Sequence, residues 1–141
     1  MEIKRLMKNI EIINAIKILE NYLNAKLPQK ISYAISRNYK YFEDEYKVYR
    51  ESVAKLIKSY DSYIEKDEKG NYKYHENSGF PLMQADKEGE FKEELAELLS
   101  IDVDVKTYKI DPEIFDYDDA GRYQVLTVND ITALMNILCD E

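Results

Sequence analysis

The segment from Glu65 to Glu76 comes closest to a metal-binding frame. It reads Glu-Lys-Asp-Glu-Lys-Gly-Asn-Tyr-Lys-Tyr-His-Glu, with Gly70 at loop position six and Glu76 at position twelve. Those are the places where a calcium loop needs a sharp turn and a bidentate carboxylate. The frame fails elsewhere. Position five is Lys69, a cation where an oxygen ligand belongs; position one is Glu65 rather than Asp; and Glu76 leads into Asn-Ser-Gly-Phe-Pro instead of a helix. A charged turn is expected, and neither a metal nor any other cofactor.

A second group is the acidic stretch Asp102, Asp104, Asp111, Glu113, Asp116, Asp118 and Asp119. Paired carboxylates serve as acid and base in glycoside hydrolysis, or hold magnesium. Here Asp102 and Asp104 fall in the solvent phase of an alternating segment, and the others lie where no Lys or His is placed to tune them. Solvated side chains or an acidic docking surface for a basic partner are the expected roles, with Asp102, Asp104, Asp116, Asp118 and Asp119 as contact residues.

Tyrosine is the third signal, at 13 of 141 residues with no tryptophan. Many tyrosines of the second helix, Tyr46, Tyr49 and Tyr60 among them, lie on its apolar stripe and are expected in or beside the core. Tyr33 and Tyr41 lie well away from that stripe on a helical wheel, with Arg37 one turn on from Tyr33. Exposed tyrosine supplies large contact area at low entropy cost, so Tyr33, Arg37 and Tyr41 are candidates to anchor a protein or stack on a nucleotide base.

The single histidine, His75, is expected at the surface of a hairpin, and the single cysteine, Cys139, at the rim of the last helix. One cysteine excludes an internal disulfide and fits a reducing cytoplasm. No glycine cluster precedes a helix, so phosphate-loop and dinucleotide motifs are missing. With 20 basic and 28 acidic side chains the net charge is −8, which argues against direct nucleic-acid binding, since that depends on Lys and Arg neutralising phosphates. No apolar run nears the roughly 20 residues that span a bilayer, and Met1 to Arg5 do not read as a secretory signal.

The elements that must position these groups suggest one α+β domain over 1–141. Residues 1–66 read as a short strand (Glu2 to Met7) and an antiparallel helical hairpin; residues 67–141 read as small β elements with two further helices. The first helix is capped by Asn9 and runs to about Leu27, and is apolar on more than one face. Pro28 opens the second, which continues to about Ile64 along Ile31, Ile35, Phe42, Tyr46, Tyr49, Val53, Leu56, Ile57, Tyr60 and Ile64. That is a rod on the order of 55 Å, whose overhang needs cover from the rest of the chain or from a second copy. Tyr72 to His75 and Phe80 to Met83 suggest a hairpin. A third helix from about Gly89 to Ser100 is the natural cover for the overhang. Ile101, Val103 and Val105 alternate with acids as a strand that slips at Thr107 and Tyr108, suggesting a bulge or an end. Tyr123 to Leu126 suggests another strand, and Thr127 to Asp130 a capping box for a last helix.

This order of features resembles a family of small proteins of phages and prophages of Gram-positive hosts that carries no assigned function. The likeness lies in Leu6-Met7-Lys8-Asn9-Ile10-Glu11-Ile12-Ile13-Asn14-Ala15, Lys26-Leu27-Pro28, Glu65 to Asn71, Phe91-Lys92-Glu93-Glu94-Leu95, Leu98-Leu99 and the helix entered at Thr127 to Asp130. It covers most of the chain and departs at Tyr108 to Gln124. The resemblance implies a phage gene product in the cytoplasm of a bacterial host, and carries over no catalytic residue. Together these readings point to a non-enzymatic binding protein, above all an acidic inhibitor of a host antiviral-defence protein. The alternatives are a phage structural or tail-assembly factor acting as a homodimer or larger homo-oligomer, and a sponge that sequesters a signalling nucleotide on its tyrosines. No membrane contact is expected.

Overall fold

The computed structural model describes residues 1–140. The fold is α+β, with four α-helices, one of them long, and a two-stranded antiparallel sheet. The sheet pairs β1 (Glu2–Lys8) with β2 (Asp102–Tyr108) in unbroken register from Glu2↔Tyr108 to Lys8↔Asp102. Of the bulge or strand end expected at Thr107 and Tyr108, the end is found: β2 closes at Tyr108, and the ladder up to it holds no bulge. Thr107 is fully buried and takes the inward phase after Val103 and Val105, because its hydroxyl donates to the Ile3 carbonyl at 3.2 Å. A satisfied hydroxyl avoids the cost of burying an unpaired polar group.

The strand expected at Tyr123 to Leu126 is also corrected. That stretch is loop: Gln124 N–H donates to the Lys26 carbonyl at 2.7 Å and the Tyr117 hydroxyl donates to the Gln124 carbonyl at 2.8 Å. Its backbone is satisfied without a ladder.

Helix α1 (Asn9–Glu20) starts where expected but with a different cap. The Glu11 carboxylate accepts the Lys8 N–H at 2.9 Å, while Asn9 is buried as the first helical residue. The helix stops seven residues short of Leu27. Asn21, Tyr22 and Ala25 donate to carbonyls three residues back, the tighter bonding of a helix that is unwinding, in a stretch containing two weak helix formers, Asn21 and Asn24. Ile12, Ala15, Ile16 and Leu19 are buried, whereas Ile10 stays 38% exposed, so α1 is not covered all round.

Helix α2 (Gln29–Ser59) spans 31 residues, about 46 Å. Pro28 begins it as expected, its carbonyl accepting from Ile31 and Ser32. It ends before Ile64. Asp61–Tyr63 form a 3-10 turn, and Ile64 bridges to Met83. Ser59, Asp61 and Ser62 favour the backbone alternatives that end helices.

The chain divides within α2 into two compact units: Met1–Lys47 together with the chain from Asp102 onward, and Val48–Ile101. The first unit buries Ile12, Leu19, Ile31, Ile35, Phe42, Val105, Leu134 and Leu138 in one core. The second buries Tyr60, Ile64, Met83, Phe91 and Leu95, with Val53, Leu56 and Ile57 packed against them. Helix α3 (Ala85–Ser100) therefore covers the far stretch of α2, as the overhang argument required. It starts four residues earlier than expected. Glu88 N–H donates to the Gln84 carbonyl at 2.8 Å, and Gly89 lies inside the helix rather than in a turn.

The hairpin around Glu76 to Gly79 forms as short bridged segments. His75 N–H donates to the Phe80 carbonyl and Leu82 N–H to the Lys73 carbonyl, each at 2.8 Å. The expected turn before it is built on Asp67, whose carboxylate accepts from the amides of Lys69 and Asn71 at 2.9 Å, with Gly70 at φ +84°.

Helix α4 (Val128–Leu138) carries the capping box read from sequence: Thr127 Oγ1 accepts the Asp130 N–H at 3.1 Å and Asp130 Oδ2 accepts the Thr127 N–H at 2.9 Å. Thr127→Ala is expected to cost about 1 kcal/mol, measured by chemical denaturation. The other Asp130 oxygen accepts the Tyr22 hydroxyl at 2.5 Å. This bond, followed by those from Thr127, holds the Asp130 carboxyl below the usual carboxylate range, and the same bond pushes Tyr22 up to about 12. A lowered carboxyl pKa gives stability present above the unfolded value near 4 and lost as pH falls. A raised phenol pKa gives stability present below about 10 and lost as pH rises toward 12. The melting-temperature gap between the protein and Tyr22→Phe is therefore expected to be widest near neutrality and to narrow at both ends.

Candidate functional site

Tyr33, Arg37 and Tyr41 repeat at four-residue steps along α2, one turn apart on one face, and the structure brings them together as the sequence suggested. The Arg37 guanidinium donates to the Tyr33 hydroxyl at 3.3 Å and to the Tyr41 hydroxyl at 2.7 Å. It lies 5.3 Å from the Tyr41 ring centre and 5.8 Å from that of Tyr33, within the range where a cation is attracted to an aromatic face.

Two members were not foreseen. Glu2 accepts from both Arg37 and Tyr41. Tyr108 packs edge-on against Tyr33 with centroids 5.4 Å apart, and Arg37 also lies 5.9 Å from its ring. Both arrive through the ladder, because Glu2 and Tyr108 are a cross-strand pair. No local signal marks that pairing of residues 106 positions apart. Asn38 then fixes β2 to α2: fully buried, it donates to the Tyr108 carbonyl at 2.7 Å and accepts the Tyr108 N–H at 2.9 Å. The result is a rigid aromatic face whose outermost ring, Tyr33, is still 52% exposed.

The acidic candidates do not join this cluster. Asp102 and Asp104 are exposed on β2, and Asp102 is at the opposite end of the ladder from Tyr108, about 20 Å away at strand spacing. Asp102 faces Lys8 at 3.4 Å with both side chains about half exposed, a pair worth little. Asp116, Asp118 and Asp119 are on the loop after a 3-10 turn (Pro112–Phe115). Asp118 accepts the Ala120 N–H at 3.0 Å and Asp119 the Gly121 N–H at 3.4 Å, in a tight turn with both residues at positive φ. Among the described residues no group of three or more His, Cys, Asp and Glu is placed to hold a metal ion.

His75, expected at the surface of the hairpin, lies in that hairpin with a carboxylate partner. It is half-buried, with Nε2 3.0 Å from the Glu88 carboxylate, which also lies 3.5 Å from Lys92. The pair borders an open cleft of about 790 Å³ with Phe80, Pro81 and Phe91, and it ties the hairpin to α3. A histidine–carboxylate pair can pass a proton. Ser78, which lines this cleft together with Tyr74, accepts the Phe80 N–H at 3.3 Å. Cys139 is a buried free thiol at the end of α4, and burial pushes its pKa up, away from the thiolate that a nucleophile requires.

No family model, curated protein or solved structure matches this chain. Among the described residues no helix is long and apolar enough to cross a membrane.

Proposed function

We propose that this chain is a non-enzymatic binding protein that docks on another protein through the tyrosine face of α2. The partner class that suits it is a host protein with a basic surface, and the resemblance to phage proteins favours one of antiviral defence. One observation carries the reading: Tyr33 is half exposed yet already held by Tyr108 and Arg37. Tyrosine and arginine are over-represented at the centres of interfaces, and side chains ordered in advance lose little entropy on binding. One turn beyond Tyr41, α2 continues with Asp44 and Glu45, and the chain carries −8 overall. Both favour a basic counterpart and steer its approach.

The test is quantitative affinity capture from lysate of a Gram-positive host, read by mass spectrometry. The chain is compared with Tyr33→Ala, whose fold is checked by its melting temperature. The expected result is a basic protein retained in a salt-sensitive way and at least about tenfold less by the variant, the loss typical of a hot-spot residue. Equal retention by both chains, or retention of virion components alone, counts against the reading.

A further inference from the structure

We infer that the open edge of β1 is a docking site for an extended acidic segment of another protein, which adds to the sheet as a third strand. The sheet pairs β1 with β2 alone, so each strand has an edge without a neighbouring strand. Two hydrogen bonds fix which backbone groups face those edges. The Tyr108 N–H turns out of the ladder to Asn38, and the Lys8 N–H turns out to Glu11. Glu2↔Tyr108, Lys4↔Lys106, Leu6↔Asp104 and Lys8↔Asp102 are therefore the non-hydrogen-bonded pairs of the antiparallel ladder. The N–H and C=O groups of Lys4 and Leu6 point along the free edge of β1 and have no partner among the described residues. The edge of β2 is occupied at one end, where Asn38 holds both backbone groups of Tyr108 and the Leu138 carbonyl accepts the Ile110 N–H. A row of unpaired backbone groups is a template for an extended chain, and a full-length strand fits along β1.

The side chains choose the occupant. Lys4 and Lys106 are exposed and directly opposed across the ladder, and like charges so placed repel. Neither forms an ion pair among the described residues. Of the acids on the same face, Glu2 is engaged by Arg37 and Asp102 by Lys8, and Asp104 stands opposite Leu6. In a chain carrying −8 this is a cationic strip. Leu6, 65% exposed, gives it an apolar step beside Lys4.

Side chains of an added strand lie beside those of β1 with a period of two. The sequence that fits carries acid, apolar and acid at alternate positions. A phosphate chain would answer the lysines but neither the backbone row nor Leu6. A second copy of β1, centred on Leu6, would set lysine against lysine, which is how edge lysines prevent self-pairing. The site is distinct from the tyrosine face: Lys4, Leu6 and Lys106 hold no place in the Tyr33–Arg37–Tyr41 cluster, and the ligand here is acidic where that face suits a basic one.

The full chain is titrated with the blocked peptide Thr-Glu-Thr-Val-Thr-Glu-Thr, followed by calorimetry and by backbone amide NMR signals. Saturable binding that shifts the amides of Lys4 and Leu6 and slows their exchange is expected. The same peptide with Lys in place of Glu is expected to bind at least about tenfold more weakly, and one methylated on every backbone amide to show no binding. Lys4→Glu is expected to keep or raise the melting temperature, because it replaces a repulsive cross-strand pair with an attractive one, while weakening the acidic peptide about fivefold. Tyr33→Ala is expected to leave the peptide's affinity unchanged. The proposal is overturned by an absence of saturable binding, by indifference to Lys4→Glu, or by equal affinity for the lysine or methylated peptide. It is also overturned if tripolyphosphate binds as tightly, the mark of a simple anion patch, or if the peptide Glu-Ile-Lys-Arg-Leu-Met-Lys does, the mark of pairing between copies.

Discussion

Replacing Asn38 with alanine is expected to destabilise the first unit by about 2–4 kcal/mol. The side chain is fully buried and serves both backbone groups of Tyr108. Its removal strands a partly buried N–H and a partly buried carbonyl, each costing about 1–3 kcal/mol when left unpaired. At this chain length the melting temperature should fall on the order of 10 °C. Asn38→Asp should be no milder at neutral pH, because it loses the donor to the Tyr108 carbonyl and buries a charge. Ser36→Ala, an exposed position two residues away, should stay within about 0.5 kcal/mol. Urea denaturation of the three variants distinguishes a specific tie from a general effect of changing α2. The same loss should loosen Tyr108 against Tyr33, so Asn38→Ala should weaken partner capture even where the chain is still folded.

Phe91→Ala is expected to act on the other unit. Phe91 is 1% exposed and packs edge-on against Tyr60 and Phe80, each with centroids 5.6 Å apart. Truncating a core phenylalanine costs about 3–5 kcal/mol. Because the Tyr60–Phe91 core is separate from the one containing Phe42 and Leu134, amide exchange should lose protection within Val48–Ile101 first. The amides of β1, β2 and α4 should keep theirs to a higher denaturant concentration. Uniform loss of protection would show that the two cores unfold as one.

What was legible in the sequence was local. The Thr127–Asp130 box, the turn at Lys69-Gly70-Asn71 and the entry to α2 at Pro28 each depend on a few adjacent residues, and each is present. The tyrosine face was legible for the same reason: four-residue spacing decides which side chains share a helix face. Glu2 and Tyr108 were not, since the ladder joins opposite ends of the chain. The apparent slip at Thr107 broke the apolar alternation because Thr is polar, whereas in the fold it keeps the inward phase by donating its hydroxyl to a backbone acceptor. Asn38 left a trace that can be recognised: it continues the stripe of Ile31, Ile35 and Phe42 in step, yet is polar. A polar residue in a buried helical stripe has to be satisfied by something, and here it is the end of a strand. The ends of α1 and α2 were overrun because apolar spacing persists past Glu20 and Ser59, although the chain there turns to other partners.

The account rests on the α2 tyrosine face being left open for a different protein rather than used between copies of this chain. Sedimentation equilibrium at two concentrations a hundredfold apart tests this most directly. The expected result is 16.7 kDa at both. A mass that doubles at the higher concentration, and returns to the single-chain value in Tyr33→Ala, would contradict it.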